Sequence, residues 1–303
     1  MAVQASLLDN EYVPETIVRE QASLWGDAWR RLRRNRLALV SSVYLILLTL
    51  MALLAIVHTP YRMDATGLGI GEAGFSSKHI LGLDFLGRDI LSRLMIGAQI
   101  SLVVGVGTQV FVIAVGVVVG LIAGYMRGVV DTVIALVINV FYGIPDLLLA
   151  LILVVVVAGG KPSIWFIIIA ISATRWMDMA RLVRGQTLAI REREFVEAAK
   201  ASGAKPGKVI FGHILPNALS PIIVAASYGV PQAILFEAFL SFLGLGVPPP
   251  TPSWGSMAAD GIQSIRTAPH IVLVPAVALS LTLMAFNFLG DGLRDALDPR
   301  QKR

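Results

Sequence analysis

Long apolar blocks separated by short polar stretches organise this chain. "LALVSSVYLILLTLMALLAIV", residues 37–57, has 21 residues without a charge. At about 1.5 Å per helical residue it reaches about 31 Å, the thickness of one bilayer core. Comparable blocks at 98–124, 132–158, 160–180, 218–240 and 271–290 predict five more membrane-spanning helices. The pattern therefore predicts an all-α polytopic membrane protein with six spans. The fourth is the least uniform, because Arg175 and Asp178 lie toward one end. It is expected to run on into the headgroups, with those charges near the interface.

The polar stretches give the sidedness. Residues 22–36, 125–131, 181–208 and 291–303 carry 17 Lys/Arg, against six in 58–95, 159–163 and 241–270. The excess marks the cytoplasmic side, so both termini are expected there, as an even number of spans requires. Within "LWGDAWRRLRRNR", Trp25, Trp29 and Leu32 recur at helical spacing among arginines. This reads as an interfacial helix on anionic headgroups, with a disordered basic tail as the alternative.

Composition agrees with this picture. Of the 303 residues, 56% are hydrophobic and only 15% charged, where soluble domains carry about a quarter. The net charge of +5 does not indicate nucleic acid, since the basic residues flank apolar spans. With no cysteine, disulfides, iron–sulfur clusters and thiolate metal sites are excluded. His58, His79, His213 and His270 are scattered, which argues against a metal site. No nucleophile–base set appears, and "GVGTQV" at 105–110 lies inside a span rather than after a strand, so it is not a nucleotide loop.

Several positions within the spans stand out. Gly116, Gly120 and Gly124 form one small-residue stripe, a signal for close helix packing. Pro145, Pro231 and Pro275 each interrupt a span, and kinked helices can surround a cavity or be static. Asp146 and Glu237 are acidic residues in or near apolar runs. Asp146 reads equally as a pathway residue or an interfacial or ion-paired one. Glu237 reads as interfacial or salt-bridged. On the outer side, Asp84, Arg88, Asp89 and Arg93 in segment 58–95 are close enough for ion pairs on a short helix. They cap the bundle on themselves or meet a partner protein. "VPPPTPSWG" reads as a stiff outer turn with Trp254 anchored at the interface.

The polar segment 190–217 is the most informative. "REREFVEAAKA" contains good helix formers, and Glu197 has Arg193 and Lys200 within pairing distance. Gly203 ends this helix in a left-handed cap. Pro206 starts a second short helix running to about His213, Pro216 punctuates, and Asn217 caps the next span. Ala198, Ala199 and Ala201 make a low ridge from which Phe195 and Val196 project as apolar knobs. Such a helix suits a groove on another protein, or folds against its own bundle.

"EAAKASGAKPGKVIFGHILPN" resembles the EAA motif of ABC-importer permeases. Glu197-Ala198-Ala199, Gly203 and Leu215-Pro216 are in place, with His213-Ile214 before the Leu-Pro. "GLDFLGRDILSRLMIGAQISL" (82–102), "LSFLGLGVPPPTPSWGSM" (240–257) and "FNFLGDGLRDALDPR" (286–300) are similar to signatures of the C-type permease of the dipeptide, oligopeptide and nickel branch. Departures are Leu83 where Thr is usual, Asp146 where a small residue is common, and Arg175 beside the Trp of the fourth span. The resemblance covers the chain from about Trp29 and implies the type I ABC-importer permease fold. The division is then a cytoplasmic tail with an interfacial helix (1–36), a first span (37–57), an extracytoplasmic segment (58–95), a five-helix core (96–290) holding the coupling loop 190–217, and a cytoplasmic tail (291–303).

The resemblance also implies a role. Phe195, Val196, Glu197, Ala198, Ala199, Lys200 and Gly203 would dock a cytoplasmic ATPase subunit, supported by His213, Leu215 and Pro216. Asp146 is the candidate pathway residue. The implied partners are a homologous second permease, two ATP-binding subunits, an extracytoplasmic substrate-binding protein and the lipid bilayer of a bacterial or archaeal cell membrane. No cofactor belongs to this chain, because ATP and Mg are held by the partners. The expected cargo is a di- or oligopeptide, with a nickel chelate, glutathione, an opine or an oligosaccharide as alternatives. An ion-driven secondary transporter is the rival from another class. It would show buried ion-binding carboxylates and paired broken helices.

Overall fold

The computed structural model describes residues 24–69, 73–158 and 163–298. The tail before residue 24, most of the turn 159–163 and the last five residues lie outside that set. All the described regular structure is helical, apart from one isolated bridge between Leu83 and Asp89.

A short helix, α1 (Leu24–Leu32), precedes α2 (Arg36–Val57). Asn35 caps α2 by accepting from the Ala38 amide at 3.1 Å. The buried residues of α2 are Ala38, Ser41, Leu45, Leu48 and Ala52, a three-and-four repeat that turns one stripe inward and leaves the rest for lipid. That stripe packs on α3 (Ile90–Met126) and α11 (His270–Leu297). Tyr44 and Thr282 share a hydrogen bond across the α2–α11 seam at 3.0 Å. α1 lies against α11, where Arg31 donates to the Asp298 carbonyl at 3.1 Å.

α3 has 37 residues, about 55 Å of helix, so it outruns the expected span at both ends. Residues 90–95, assigned above to the outer segment, are its first turns. The glycine stripe meets α6 (Ile164–Arg191). A Cβ on Gly116 would stand 2.6 Å from the Met179 Cβ, one on Gly120 2.6 Å from the Ala180 carbonyl, and one on Gly124 2.6 Å from the Thr187 Cβ. Only hydrogen fits at these positions, and this seam sets the axis of the bundle.

The expected span 132–158 is broken. α4 (Gly128–Tyr142) and α5 (Asp146–Ala158) meet at 88°. Pro145 lacks a backbone donor and disfavours helical geometry for the residue before it, and α5 restarts with the Leu149 amide on the Pro145 carbonyl at 3.0 Å. Pro231 and Pro275, expected to interrupt their spans, sit inside helices that continue through them.

After α6 come α7 (Glu194–Ala201), α8 (Pro206–Val209), a π-helical turn over Ile210–Ile214, and α9 (Leu215–Phe242). Pro206 starts α8 as expected, but the helix does not stop near His213. The stretch Pro206–Phe242 is continuous over 37 residues. Asn217 is therefore not a cap. It lies within the helix and donates to the His213 carbonyl at 2.7 Å. α10 (Trp254–Gly261) begins with a capping box between Ser253 and Ser256 and packs on α9 and α11.

Among the described helices, α2, α3, α8–α9 and α11 are each long and apolar enough to cross a membrane, and the bent pair α4–α5 makes a fifth if taken as one span. The expected fourth span corresponds to α6, whose charges keep it below the same threshold. It nevertheless buries Ile167, Ile168, Ile171 and Met177 at the centre of the bundle.

Candidate functional site

Three places carry polar chemistry: the cap over the start of α3, called the outer cap after the side expected for it, the segment around α7, and a cavity between α3, α6 and α9.

The outer cap is closed. Asp84 accepts from the amides of Leu86 (2.9 Å) and Arg88 (3.0 Å) and from Arg88 Nε at 2.6 Å. Asp89 caps α3, taking the Ser92 amide and hydroxyl, each at 2.8 Å, and the His79 ring at 3.0 Å. Arg93 lies 3.6 Å from Asp84, and Asp260 of α10 faces Arg88 and Arg93 at 3.4 and 3.5 Å. Asp84 pairs with Arg88 and Arg93 as expected, but on a turn and a helix start rather than on a separate short helix, and Asp89 takes His79 and Ser92 instead of an arginine. Leu83 is buried there, which accounts for an apolar residue at that position. More exposed, Arg62 beside Asp64 holds that carboxyl below the usual carboxylate range. Trp254 is not an interfacial anchor. It is fully buried, its Nε1 donates to the Leu94 carbonyl at 3.1 Å, and Gly97 makes room for it. Glu237 is neither interfacial nor salt-bridged. It is wholly buried and accepts from Ser241 at 2.5 Å.

The α7 segment follows the sequence in its stop signal. The Gly203 amide bonds the Lys200 carbonyl at 2.9 Å and the Ala204 amide the Ala199 carbonyl at 3.1 Å. Gly203 has φ +81°, which makes a Schellman motif. Glu197, Ala198 and Gly203 are exposed, and Ala199 and Lys200 half-buried. No ion pair involves Glu197 among the described residues, so the expected pairs with Arg193 and Lys200 do not form. Of the two expected knobs only Phe195 projects, 45% exposed, with its ring 6.4 Å from that of His213. Val196 is 0% exposed. It turns inward among Ile190 at the end of α6, Val209, and Ile214 and Ala218 at the start of α9. Phe211, passed over in the sequence, is 67% exposed. An aromatic residue between lysines and a glycine was the available signal. Leu215 is half-buried and Pro216 exposed at the start of α9. Beside α7 an open cleft of about 1060 Å³ lies between α1, α9 and the end of α11.

The cavity, about 320 Å³, is lined by Thr108 and Gln109 of α3, Arg175 and Asp178 of α6, and Tyr228 and Gln232 of α9. The Gln109 side chain occupies the space that a Cβ on Gly229 would take. Asp146 begins α5 at the elbow, 3.6 Å from Arg175 Nη1, and Asp178 is 3.9 Å from the same atom. Tyr142 donates to Asp178. The structure thus brings together two of the departures noted above, Asp146 and Arg175. Arg175 is the twelfth of the 28 residues of α6, about 17 Å along its axis, and the helix runs on past it to Arg191 as expected. Gln109, Tyr228 and Gln232 were not singled out in the sequence. Polar side chains inside apolar runs were their signal.

A helical bundle of long apolar rods with a polar interior and one exposed amphipathic hairpin is the architecture of a membrane permease. The family model described as binding-protein-dependent transport system inner membrane component matches residues 116–303, and that described as the N-terminal TM domain of oligopeptide transport permease C matches residues 23–70. The chain is 41% identical to the oligopeptide transport system permease protein OppC of Bacillus subtilis over 289 residues, covering 95% of this chain and 94% of that one. It is 42% identical to the dipeptide transport system permease protein DppC of the same organism, covering 95% and 90%. Among solved structures, the MetNI methionine ABC transporter in an inward facing form aligns with a TM-score of 0.57 at 20% identity, over 68% of this chain and 96% of that one. The last likeness speaks for the fold alone. This chain belongs to the binding-protein-dependent transport system inner membrane component family, and it is a multi-pass membrane protein and a permease subunit.

Proposed function

We propose that this permease forms half of the path of an ATP-driven importer for di- or oligopeptides in a bacterial or archaeal cell membrane. A homologous permease forms the other half, two cytoplasmic subunits bind ATP and Mg, and an extracytoplasmic protein delivers the cargo. Both termini and the loop 190–217 face the cytoplasm, as the Lys/Arg asymmetry favours.

The observation that carries the coupling role is the two-sidedness of α7. Its outer face, with Phe195, Glu197, Ala198 and the Gly203 stop, is free for a groove on an ATPase subunit. Its inner face holds Val196 among residues of α6 and α9. A push on α7 is therefore delivered to two spans at once. ATP binding closes the ATPase pair, α7 moves with it, and the bundle switches between two packings. Val196 acts as a fastener in this scheme, while Ala199, Lys200, His213, Leu215 and Pro216 shape and brace the docking hairpin.

Uptake by membrane vesicles tests this reading. Gly203→Pro and Glu197→Lys are expected to abolish ATP-dependent uptake while the protein still inserts and accumulates in the membrane. Wild-type uptake in either variant would refute the docking role. Uptake driven by an ion gradient in the lone chain would instead mark a secondary transporter. Peptide as cargo is supported by the two curated relatives above.

A further inference from the structure

We propose that Arg175 is a way-station for the substrate's free carboxylate, with Asp146 taking its ammonium group as Arg175 lets go. The proposal rests on the peptide reading above and places it on particular side chains.

Three observations carry it. First, Arg175 is loosely held. Its Nη1 is 3.6 Å from Asp146 and 3.9 Å from Asp178, beyond hydrogen-bond length. Its Nε is buried without any partner. A guanidinium offers five donors in a fork that matches a carboxylate, and here most of that fork is unspent. Second, the side chain lines an open space. The 320 Å³ cavity has Gln109, Gln232 and Tyr228 across from it. The guanidinium carbon lies 5.1 Å over the Phe236 ring, which orients the fork without occupying its donors. Third, a charge amid apolar spans is costly and tends to mark a substrate path.

The exchange is charge-balanced. With the cavity empty, Asp146 and Arg175 compensate each other at long range. When a carboxylate docks on Arg175, Asp146 loses its partner, and a zwitterionic substrate brings the ammonium group that replaces it. Asp178, 3.9 Å from the same guanidinium, keeps the Tyr142 hydroxyl at both stages, so Arg175 and Asp146 each have a counter-charge before and after the exchange. Cargo lacking one of the two termini would strand a charge. The weak native pairing also suits transit, since a path must bind its cargo and then release it.

The test uses the assembled complex in proteoliposomes, with its binding protein saturated by a labelled tripeptide with free termini. Uptake is normalised to assembled complex. Arg175→Gln is expected to lower it about tenfold or more, the scale of a lost charge-assisted contact. Arg175→Lys, a point charge without the fork, is expected to fall between. The neutral double variant Asp146→Asn/Arg175→Gln should stay as low as the single. Recovery in the double variant would show the pair to be merely structural and overturn the proposal. Wild-type uptake in Arg175→Gln would do the same. Should Arg175→Gln fail to assemble, Arg175→Lys carries the test, and uptake equal to wild type overturns it. A wild-type complex that hydrolyses ATP yet accumulates no peptide refutes the peptide reading itself, and this proposal with it.

Discussion

Two clusters of arginine and aspartate occupy this bundle, and they are built differently. In the outer cap, Asp84 and Asp89 have their oxygens filled by backbone amides, a hydroxyl, a ring nitrogen and a guanidinium, at 2.6–3.0 Å. At the elbow, Arg175 reaches Asp146 only at 3.6 Å and keeps a buried Nε without a partner. The cap also keeps one unpartnered buried nitrogen, Arg93 Nη1, but its carboxylates are saturated, and the void beside Arg93 is only about 10 Å³ against about 320 Å³ beside Arg175. A charge cluster whose acceptors are saturated by fixed backbone donors can only hold a shape. One with spare donors facing a cavity can change partners. Ion-pair distances alone do not separate Arg93 (3.5 and 3.6 Å) from Arg175 (3.6 and 3.9 Å), whereas the filling of the carboxylate oxygens and the space beside the arginine do.

Substitutions in the two clusters should therefore diverge, and thermal unfolding in detergent is the measurement. The largest loss is expected from Asp84→Ala, which leaves Arg88 and Arg93 buried without their main carboxylate, at a cost of about 3–5 kcal/mol. An Asp84→Ala protein as stable as wild type would erase the distinction. Ser92→Ala should cost about 1–3 kcal/mol, because Ser92 Oγ both donates to Asp89 and accepts from the Tyr61 amide at 3.0 Å. Asp146→Asn should change stability by no more than about 1 kcal/mol, as for other loose and partly exposed pairs, while peptide uptake still falls. A large drop in stability from Asp146→Asn would place the elbow with the cap as a structural cluster.

Much of the frame could be read from the residues. The Gly116–Gly120–Gly124 seam was legible because four-residue spacing on a helix leaves a single groove. The stop at Gly203 was legible because an exposed helix end needs the left-handed residue that glycine supplies. Other features depend on tertiary context. Three prolines looked alike in the sequence, yet only Pro145 marks a break. There Gly143 and a constrained Ile144 add to the missing donor, while packing carries α9 and α11 through theirs. Val196 and Phe195 are neighbours of similar hydrophobicity. Which of them faces out is decided by Ile190, Val209 and Ile214 closing over one side, and no local pattern records that. Trp254 beside a proline-rich turn suggested a headgroup anchor. The space left by Gly97, more than 150 positions earlier in the chain, draws it inside instead.

The unbroken run from Pro206 to Phe242 has a mechanical consequence. Beyond the wider-wound turn at its hairpin end, the 28 residues of α9 behave as a shaft of about 42 Å, and a tilt of about 5° at one end would sweep the other by about 4 Å. Gearing of that kind turns a small displacement at the hairpin into a stroke as wide as a peptide backbone, and it locates the most compliant point at the wider-wound turn Ile210–Ile214, where the shaft leaves its bearing.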